Sequence, residues 1–214
     1  HSDSQWATRI ATGTGPLTWY HDQTPSGIAD LCGNVSEWSG GMRTVKGEIQ
    51  ILANNNGADP LNPQSESSTA WKAIRASDGA LITPNGSGTT SGSIKMDCQS
   101  NKLVYNTSIT GTTGSGDTLY SSCTFANISC ASAIGANAKL LLQNLGLLQY
   151  GSASELFSGH LNYWDNQSDE RLFTSGGHYN SASSGLASFY GYYARSFANG
   201  NIGFRSAYVK LPTA

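Results

Sequence analysis

Charge is scarce in this sequence: 12 Lys and Arg stand against 14 Asp and Glu, for a formal net charge of −2. So small a balance draws the chain neither to nucleic acid nor to anionic lipid by field alone. Long apolar runs are also missing. The longest, Leu140 to Leu148, is broken by Gln143, Asn144 and Gly146. It falls short of the roughly 20 residues that a membrane span needs, so no membrane insertion is expected. Cysteine is limited to Cys32, Cys98, Cys123 and Cys130, with no CxxC string and no clustered His beside them. That spacing suits neither a zinc site nor a dense disulfide scaffold, and no metal or cofactor is expected. Cys32, among apolar neighbours, reads as a buried small hydrophobe. Cys123 and Cys130 either close a small loop in an oxidising compartment or stay free. No signal peptide is visible, and a first residue of His1 rather than Met is expected of a piece of a longer chain.

What the sequence has in quantity is glycine, 25 copies, spread among short runs of strand-forming residues. Such a chain is expected to be built from short strands, tight turns and irregular loops. Residues 44–51, 93–97 and 102–105 alternate with period two. Asn85-Gly86-Ser87-Gly88 and residues 111–116 are turn signals. Residues 70–76 fit a short helix or a strand equally well. Leu140 to Leu148 suits a short helix stopped near Gly146 or Gly151. Trp6, Trp19 and Trp38 mark residues 1–42 as part of a packed core. With no internal repeat, the expectation is one α+β domain over 1–214, carrying a β-rich insertion at about 44–135.

Two strings carry more specific information. The first is Gly33-Asn34-Val35-Ser36-Glu37-Trp38, followed by Gly40-Gly41-Met42-Arg43; the second is Asn201-Ile202-Gly203-Phe204-Arg205. Gly33-Asn34 suits a tight turn. Val35 and Trp38 would anchor a core face, with Glu37 available to a buried neighbour such as an arginine. In this order and separated by most of the chain, the strings resemble the formylglycine-generating-enzyme branch of the C-type lectin fold. That resemblance covers residues 1–43 and roughly 140 onward, and implies an α+β C-type-lectin-like fold.

The branch holds oxidases, iron-dependent sulfur transferases and non-catalytic binding proteins. The oxidases need a reactive cysteine pair near the C-terminal end, and no cysteine follows Cys130. The iron enzymes use a histidine cluster with a carboxylate, whereas His1, His21, His160 and His178 are scattered. A non-enzymatic reading is therefore preferred. Gly176-Gly177, a stretch of small and aromatic residues, Ala194-Arg195-Ser196 and then the second string resemble the variable region of diversity-generating-retroelement proteins, the phage tropism-determinant class. In that family, substitution at template adenines scatters altered AAC and AAT codons over one face of the fold. Codons so derived end in a pyrimidine and cannot encode Met, Trp, Gln, Lys or Glu. None of these five occurs between His178 and Asn201.

The resemblance implies a variable region at about 176–205. Its ligand-binding residues would be His178, Tyr179, Asn180, Ser181, Ser183, Ser188, Tyr190, Tyr192, Tyr193, Phe197, Ala198 and Asn199. Tyr offers contact area at little entropic cost, and Ser and Asn offer adaptable hydrogen bonds. Because Tyr192 and Tyr193 are adjacent, strict strand alternation turns at least one of them outward. Tyr190, Tyr192 and Tyr193 are thus expected at the surface and Phe189 in the core. Arg195, Phe204 and Arg205 read as scaffold. Asp165, Asp169 and Glu170 fit a solvated acidic loop better than a calcium site.

The function expected by resemblance is recognition of a protein or glycan receptor on a target cell. The site would be a phage or prophage tail tip, or a bacterial surface, in an oligomer or as a single copy. The alternatives are an oxidoreductase of the formylglycine-generating type with a relocated site, and a structural tail protein.

Overall fold

The computed structural model describes residues 2–3, 6–59, 61–151, 157 and 159–204. The strands in chain order are β1 (Ser2–Asp3), β2 (Trp6–Ile10), β3 (Ser36–Val45), β4 (Glu48–Leu52), β5 (Trp71–Ile74), β6 (Leu81–Ile82) and β7 (Lys95–Gln99). They continue with β8 (Lys102–Asn106), β9 (Ser121–Thr124), β10 (Ser129–Cys130), β11 (Leu161–Trp164), β12 (Arg171–Ser175), β13 (Phe189–Tyr193) and β14 (Ile202–Gly203). One α-helix, α1 (Ala136–Asn144), occurs among the described residues. None of these residues forms a helix long and apolar enough to cross a membrane.

Twelve strands join one mixed sheet along the path β10-β8-β7-β4-β3-β12-β13-β11-β9, with β5, β6 and β14 attached at its sides. The α+β, C-type-lectin-like expectation is therefore corrected to a β-rich fold. The physical reason is the composition: only one stretch keeps its apolar residues in helical phase, and Gly, Ser and Thr interrupt the rest before a helix can propagate. Residues 44–135 supply β4 to β10, and these pair into the same sheet as β3 and β12.

Local chemistry sets several boundaries. The alternating run 44–51 is two strands rather than one. Lys46 (φ 47°) and Gly47 (φ 78°) both adopt positive φ, the geometry of a type I′ hairpin turn, and Val45 faces Glu48 across it. Ser100 and Asn101 (φ 51° and 58°) do the same between β7 and β8. Residues 71–74 are a strand, paired with β4 and β6. The helix begins four residues before Leu140, at Ala136, and ends by Gly146, which has positive φ.

The main core lies where β4, β5, β7, β8 and α1 meet, built on Ile49, Ile74, Ile94, Met96, Leu103, Tyr105, Leu142 and Leu147, with Trp164, Phe173 and Phe189 continuing it under β11 to β13. A buried polar chain crosses it. Arg43 Nε donates to Gln50 Oε1 (3.0 Å), and Gln50 Nε2 donates to Glu48 Oε1 (2.9 Å). Glu48 in turn accepts from the Ser93 hydroxyl at 2.7 Å and the Thr90 amide at 2.9 Å. Each side chain of this network thus has a partner, without which its burial would be strongly destabilising.

Several expectations for the N-terminal part change. Trp19 is 49% exposed and Trp38 half-buried, so neither is deep core. The Trp6 side chain lies outside the described residues. Cys32 is exposed; all four cysteines are free, with Cys98 and Cys123 buried and Cys130 half-buried. Exposure follows from position: Cys32 sits in the irregular loop before β3, ahead of the point where the sheet covers one face of the chain.

Candidate functional site

Two irregularities in strand pairing build the site. Between β12 and β13, Leu172 faces Tyr193 and Thr174 faces Tyr190, so β13 spends three steps where β12 spends two. The extra residue is a bulge, and it breaks the alternation that would send Tyr192 and Tyr193 to opposite faces. Their rings lie side by side instead, with centroids 4.2 Å apart. Gly191 sits in this bulge, with Phe173 packed where a Cβ would stand. Between β3 and β12, Leu172 faces Arg43 and Phe173 faces Ser39, so Gly40-Gly41-Met42 bulge out of β3.

The bulged end of β13 carries a row of rings. Phe197 stacks on Tyr193 at 4.5 Å and 17°, Tyr193 lies against Tyr192, and Tyr192 lies 4.4 Å from Tyr120. The row is open at its ends, where Phe197 is 38% and Tyr120 37% exposed. Each ring pair contributes about 0.5–1.5 kcal/mol beyond area burial. Tyr192 donates its hydroxyl hydrogen bond to that of Tyr193 at 2.8 Å, and burial followed by this contact raises the Tyr192 phenol well above its usual range. Trp38 meets the edge of Tyr193 at 6.0 Å.

Beside the row lies an open cleft of about 500 Å³. Tyr120, Tyr192, Tyr193 and Phe197 line it on one side, and Asp165, Arg171, His178 and Asn201 contribute polar groups, with Asp117 and Asn199 completing the wall. Asp165 is saturated. Its oxygens accept from Arg171 Nε (2.9 Å), the Ser168 hydroxyl (2.6 Å) and the amides of Gln167 (2.8 Å) and Ser168 (3.2 Å). Burial pushes the His178 imidazole below its usual pKa, with a hydrogen bond to the Asn180 side chain opposing it. Two atoms with no accessible surface, His178 Nδ1 and Asn201 Oδ1, have no hydrogen-bond partner among the described residues.

Of the twelve residues expected at the ligand surface, the structure brings five to this cleft: His178, Tyr192, Tyr193, Phe197 and Asn199. Tyr190 and Tyr193 were expected to face outward, but they are only 3% and 6% exposed. Tyr190 underlies the cleft, edge-on to Tyr163 at 4.9 Å and to His178 at 5.9 Å, with its hydroxyl bonded to Ser184. Tyr192 is half-buried. The alternation rule failed here because it assumes a regular strand.

The other expected residues disperse. Tyr179 lines a separate hollow of about 620 Å³ with Trp19, His21, Leu31 and Leu186. Asn180, Ser183 and Ala198 are exposed, and Ser181 pairs with the Ser184 hydroxyl at 2.6 Å. Ser188 is buried, its hydroxyl accepting from the Gly185 amide at 3.0 Å, which is a loop-shaping contact. Phe189 is in the core as expected.

The frame around the cleft is tied down by other contacts. Arg195 donates to both oxygens of Glu170, and the same carboxylate accepts from buried Arg43 at 2.8 Å. Arg43 lies over the Trp71 ring at 4.5 Å. The Gly33 amide donates to Gly176 O at 2.8 Å and the Ser36 amide to Asn201 O at 2.9 Å, so both recognised strings flank the site. Arg205 lies outside the described residues, and Phe204 is 81% exposed.

The acidic segment is solvated at Asp169, whose side chain is 84% exposed, but Asp165 and Glu170 are buried. Asp165 pairs with Arg171, Asp169 with Lys46, and Glu170 with Arg43 and Arg195. No group of three or more His, Cys, Asp or Glu among the described residues stands close enough to hold a metal ion.

Sequence reasoning missed Asp117, Tyr120, Asp165, Arg171 and Asn201 as cleft residues. Tyr120 and Asp117 come from the expected insertion, and no local signal connects them with residue 192. The pairing of β9 with β11, which sets Ser122 opposite Tyr163, carries them there. No protein-family model matches the chain, and no curated protein matches it.

Proposed function

We propose that the chain is a non-catalytic recognition protein, diversified by a retroelement, that binds a receptor on a target cell through the Tyr120–Phe197 cleft. Its setting would be the tail tip of a phage or prophage, or a bacterial surface. The observation that supports this is a division of labour within residues 176–203. Five of the twelve residues expected to vary, His178, Tyr192, Tyr193, Phe197 and Asn199, line one cleft. Residues expected to stay constant are held by contacts to the sheet: Arg195 by Glu170, Gly176 by the Gly33 amide, and Asn201 by the Ser36 amide through its carbonyl. Side chains on the cleft can therefore change while the frame stays in place. An aromatic wall with adaptable Ser and Asn neighbours suits recognition, since two-torsion rings bury much area for little lost entropy.

The test is the DNA around the gene. The reading expects a near-copy of the codons for residues 178–205, differing only at adenines, beside a reverse transcriptase. An intact locus with no such copy overturns the diversification. A second reading, a structural tail protein, draws on the burial of Tyr190 and Tyr193. It expects Phe197 and Tyr120 to be covered by a neighbouring subunit in the assembled particle, which hydroxyl-radical footprinting of the two rings would reveal.

A further inference from the structure

We infer that the hollow beside Trp19 is a second binding site, built to take one neutral pyranose ring. It is separate from the tyrosine cleft. The loops before β3 form most of it, and Tyr179 and Leu186 close it from the other side. Its volume, about 620 Å³, falls within the usual range of about 300–1,000 Å³ for small-molecule sites.

The walls of the hollow are braced. The Asn34 side chain spans the Ile10 backbone, accepting from its amide at 3.2 Å and donating to its carbonyl at 3.0 Å. Asp30 Oδ2 accepts from the Gly13 amide at 3.1 Å, and the Tyr20 hydroxyl donates to Gly13 O at 2.7 Å. Across the hollow, the Tyr179 amide donates to Asn34 O at 3.0 Å. Gln23, Asp30 and Asn34 hold left-handed backbone, with φ of 59°, 55° and 54°. Three of the eight non-glycine residues with positive φ among those described therefore line this one hollow. Such strain persists where surrounding contacts over-determine it, and it gathers at binding sites.

Within that frame, the exposed groups are unspent. Trp19 is 49% exposed, and its six-membered ring rests on Gly15, where a Cβ would come 2.1 Å from Cε3. His21 is exposed, and its Nδ1 accepts from the Ile28 amide at 2.8 Å, so the imidazole is neutral and its hydrogen sits on Nε2. The Thr18 hydroxyl, the Gln23 amide and the Trp19 indole N–H make no hydrogen bond among the described residues, and all three side chains are exposed.

A pyranose matches this set. Its apolar C–H face can cover the indole, removing both surfaces from water. Its hydroxyls each donate and accept, as do the Thr18 hydroxyl and the Gln23 amide, and they can also accept from His21 and Trp19. Charged ligands fit less well. Asp30 carries the one formal charge among the described lining residues, and it is 7% exposed with an oxygen already given to Gly13. An anion would face that carboxylate with no Lys or Arg in the described lining to answer it, and a cation would find the carboxylate covered. A purely apolar group would cover the ring but leave the polar groups beneath it without partners, which is costly.

The test uses the whole chain labelled with nitrogen-15 at tryptophan, the Trp19 indole signal being assigned by its loss in Trp19→Phe. The methyl glycosides of glucose, galactose and mannose are titrated separately, with glucuronate and cyclohexanol as charged and apolar probes. A saturable shift of the Trp19 signal with at least one neutral glycoside is expected, the other indole signals staying in place. Calorimetry with that glycoside should show binding weakened about tenfold in Trp19→Ala and in Gln23→Gly, a replacement that the positive φ accommodates. An array of immobilised neutral oligosaccharides distinguishes the source of the ring. Retention lost in Trp19→Ala identifies the end of a glycan, and response to the glycosides without retention identifies a free sugar; either upholds the site. The inference is overturned if no neutral glycoside moves the Trp19 signal, if glucuronate or cyclohexanol moves it as much, or if both variants bind unchanged. A Trp19 signal that moves with protein concentration alone would also overturn it, by showing that a second copy of the chain covers the hollow.

Discussion

Arg195 and Glu170 are joined twice: Nε donates to Oε2 at 2.9 Å, and Nη2 donates to Oε1 at 2.8 Å. The same carboxylate faces Arg43 from the interior, so one buried acid holds both a core guanidinium and the first turn of the loop bearing Phe197. The pairing makes the cleft wall an extension of the sheet. It also makes the partners unequal. Glu170 and Arg43 are buried, whereas the Arg195 side chain is 38% exposed and screened by solvent.

That inequality predicts the mutants. Glu170→Gln leaves Arg43 without a counter-charge and should cost about 3 kcal/mol, at the lower end for breaking a buried pair because the amide can still accept. Arg195→Ala should cost about 1 kcal/mol or less, as an exposed pair does. Urea unfolding of both measures the difference; equal losses would show that Glu170 is not the shared anchor.

Gly191 lies flat against Phe173, and a Cβ there would come 2.7 Å from the ring, which is fully buried. Gly191→Ala should therefore destabilise by about 1–3 kcal/mol, the range for overpacking. It should also shift the near-ultraviolet signal of the tyrosine row, because the bulge sets the spacing of Tyr192 and Tyr193. Thermal unfolding with near-ultraviolet circular dichroism tests both effects.

Asp97 predicts an acid transition. Burial pushes its carboxyl up, but hydrogen bonds from the Thr110 hydroxyl, the Gln99 side chain and the Gly111 and Thr110 amides outweigh this and hold it at about 2. A carboxyl depressed in the folded state stabilises fully above its unfolded value, near 3.8, and loses that contribution as pH falls toward 2. Stability should drop across that window, and Asp97→Asn should flatten the drop while lowering stability at neutral pH. Urea midpoints at pH 2 to 7 would check the sign.

Thiol accessibility gives a direct check on the N-terminal loop. Cys32 is exposed, while Cys98 and Cys123 are buried and burial raises the Cys123 thiol. In the native chain Cys32 should react rapidly with an aromatic disulfide reagent, and Cys98 and Cys123 only on unfolding. Mass spectrometry of the labelled peptides decides it. Early modification of Cys98 would mean that β7 is not covered as described.

Local chemistry was legible in the sequence. The turn glycines Gly86, Gly88, Gly114 and Gly116, the helix stop at Gly146 and the strands at 95–99 and 102–106 follow from side-chain periodicity and from which residues tolerate left-handed backbone, whereas the Lys46-Gly47 turn inside the alternating run 44–51 did not show. The tyrosine-rich segment, and Arg195 as part of its frame, were singled out by what the resemblance implies rather than by composition. The tertiary structure decided the rest, because the deciding contacts join residues far apart in the chain. A helix was over-weighted against the fourteen strands among the described residues, since strand pairing is non-local and composition does not reveal partners. Whether Tyr192 and Tyr193 share a face depended on a bulge set by β12, which strict alternation cannot foresee. Asp117 and Tyr120 reach the cleft only because β9 pairs with β11. The segment's chemistry was written in its own residues; the cleft it lines required the sheet.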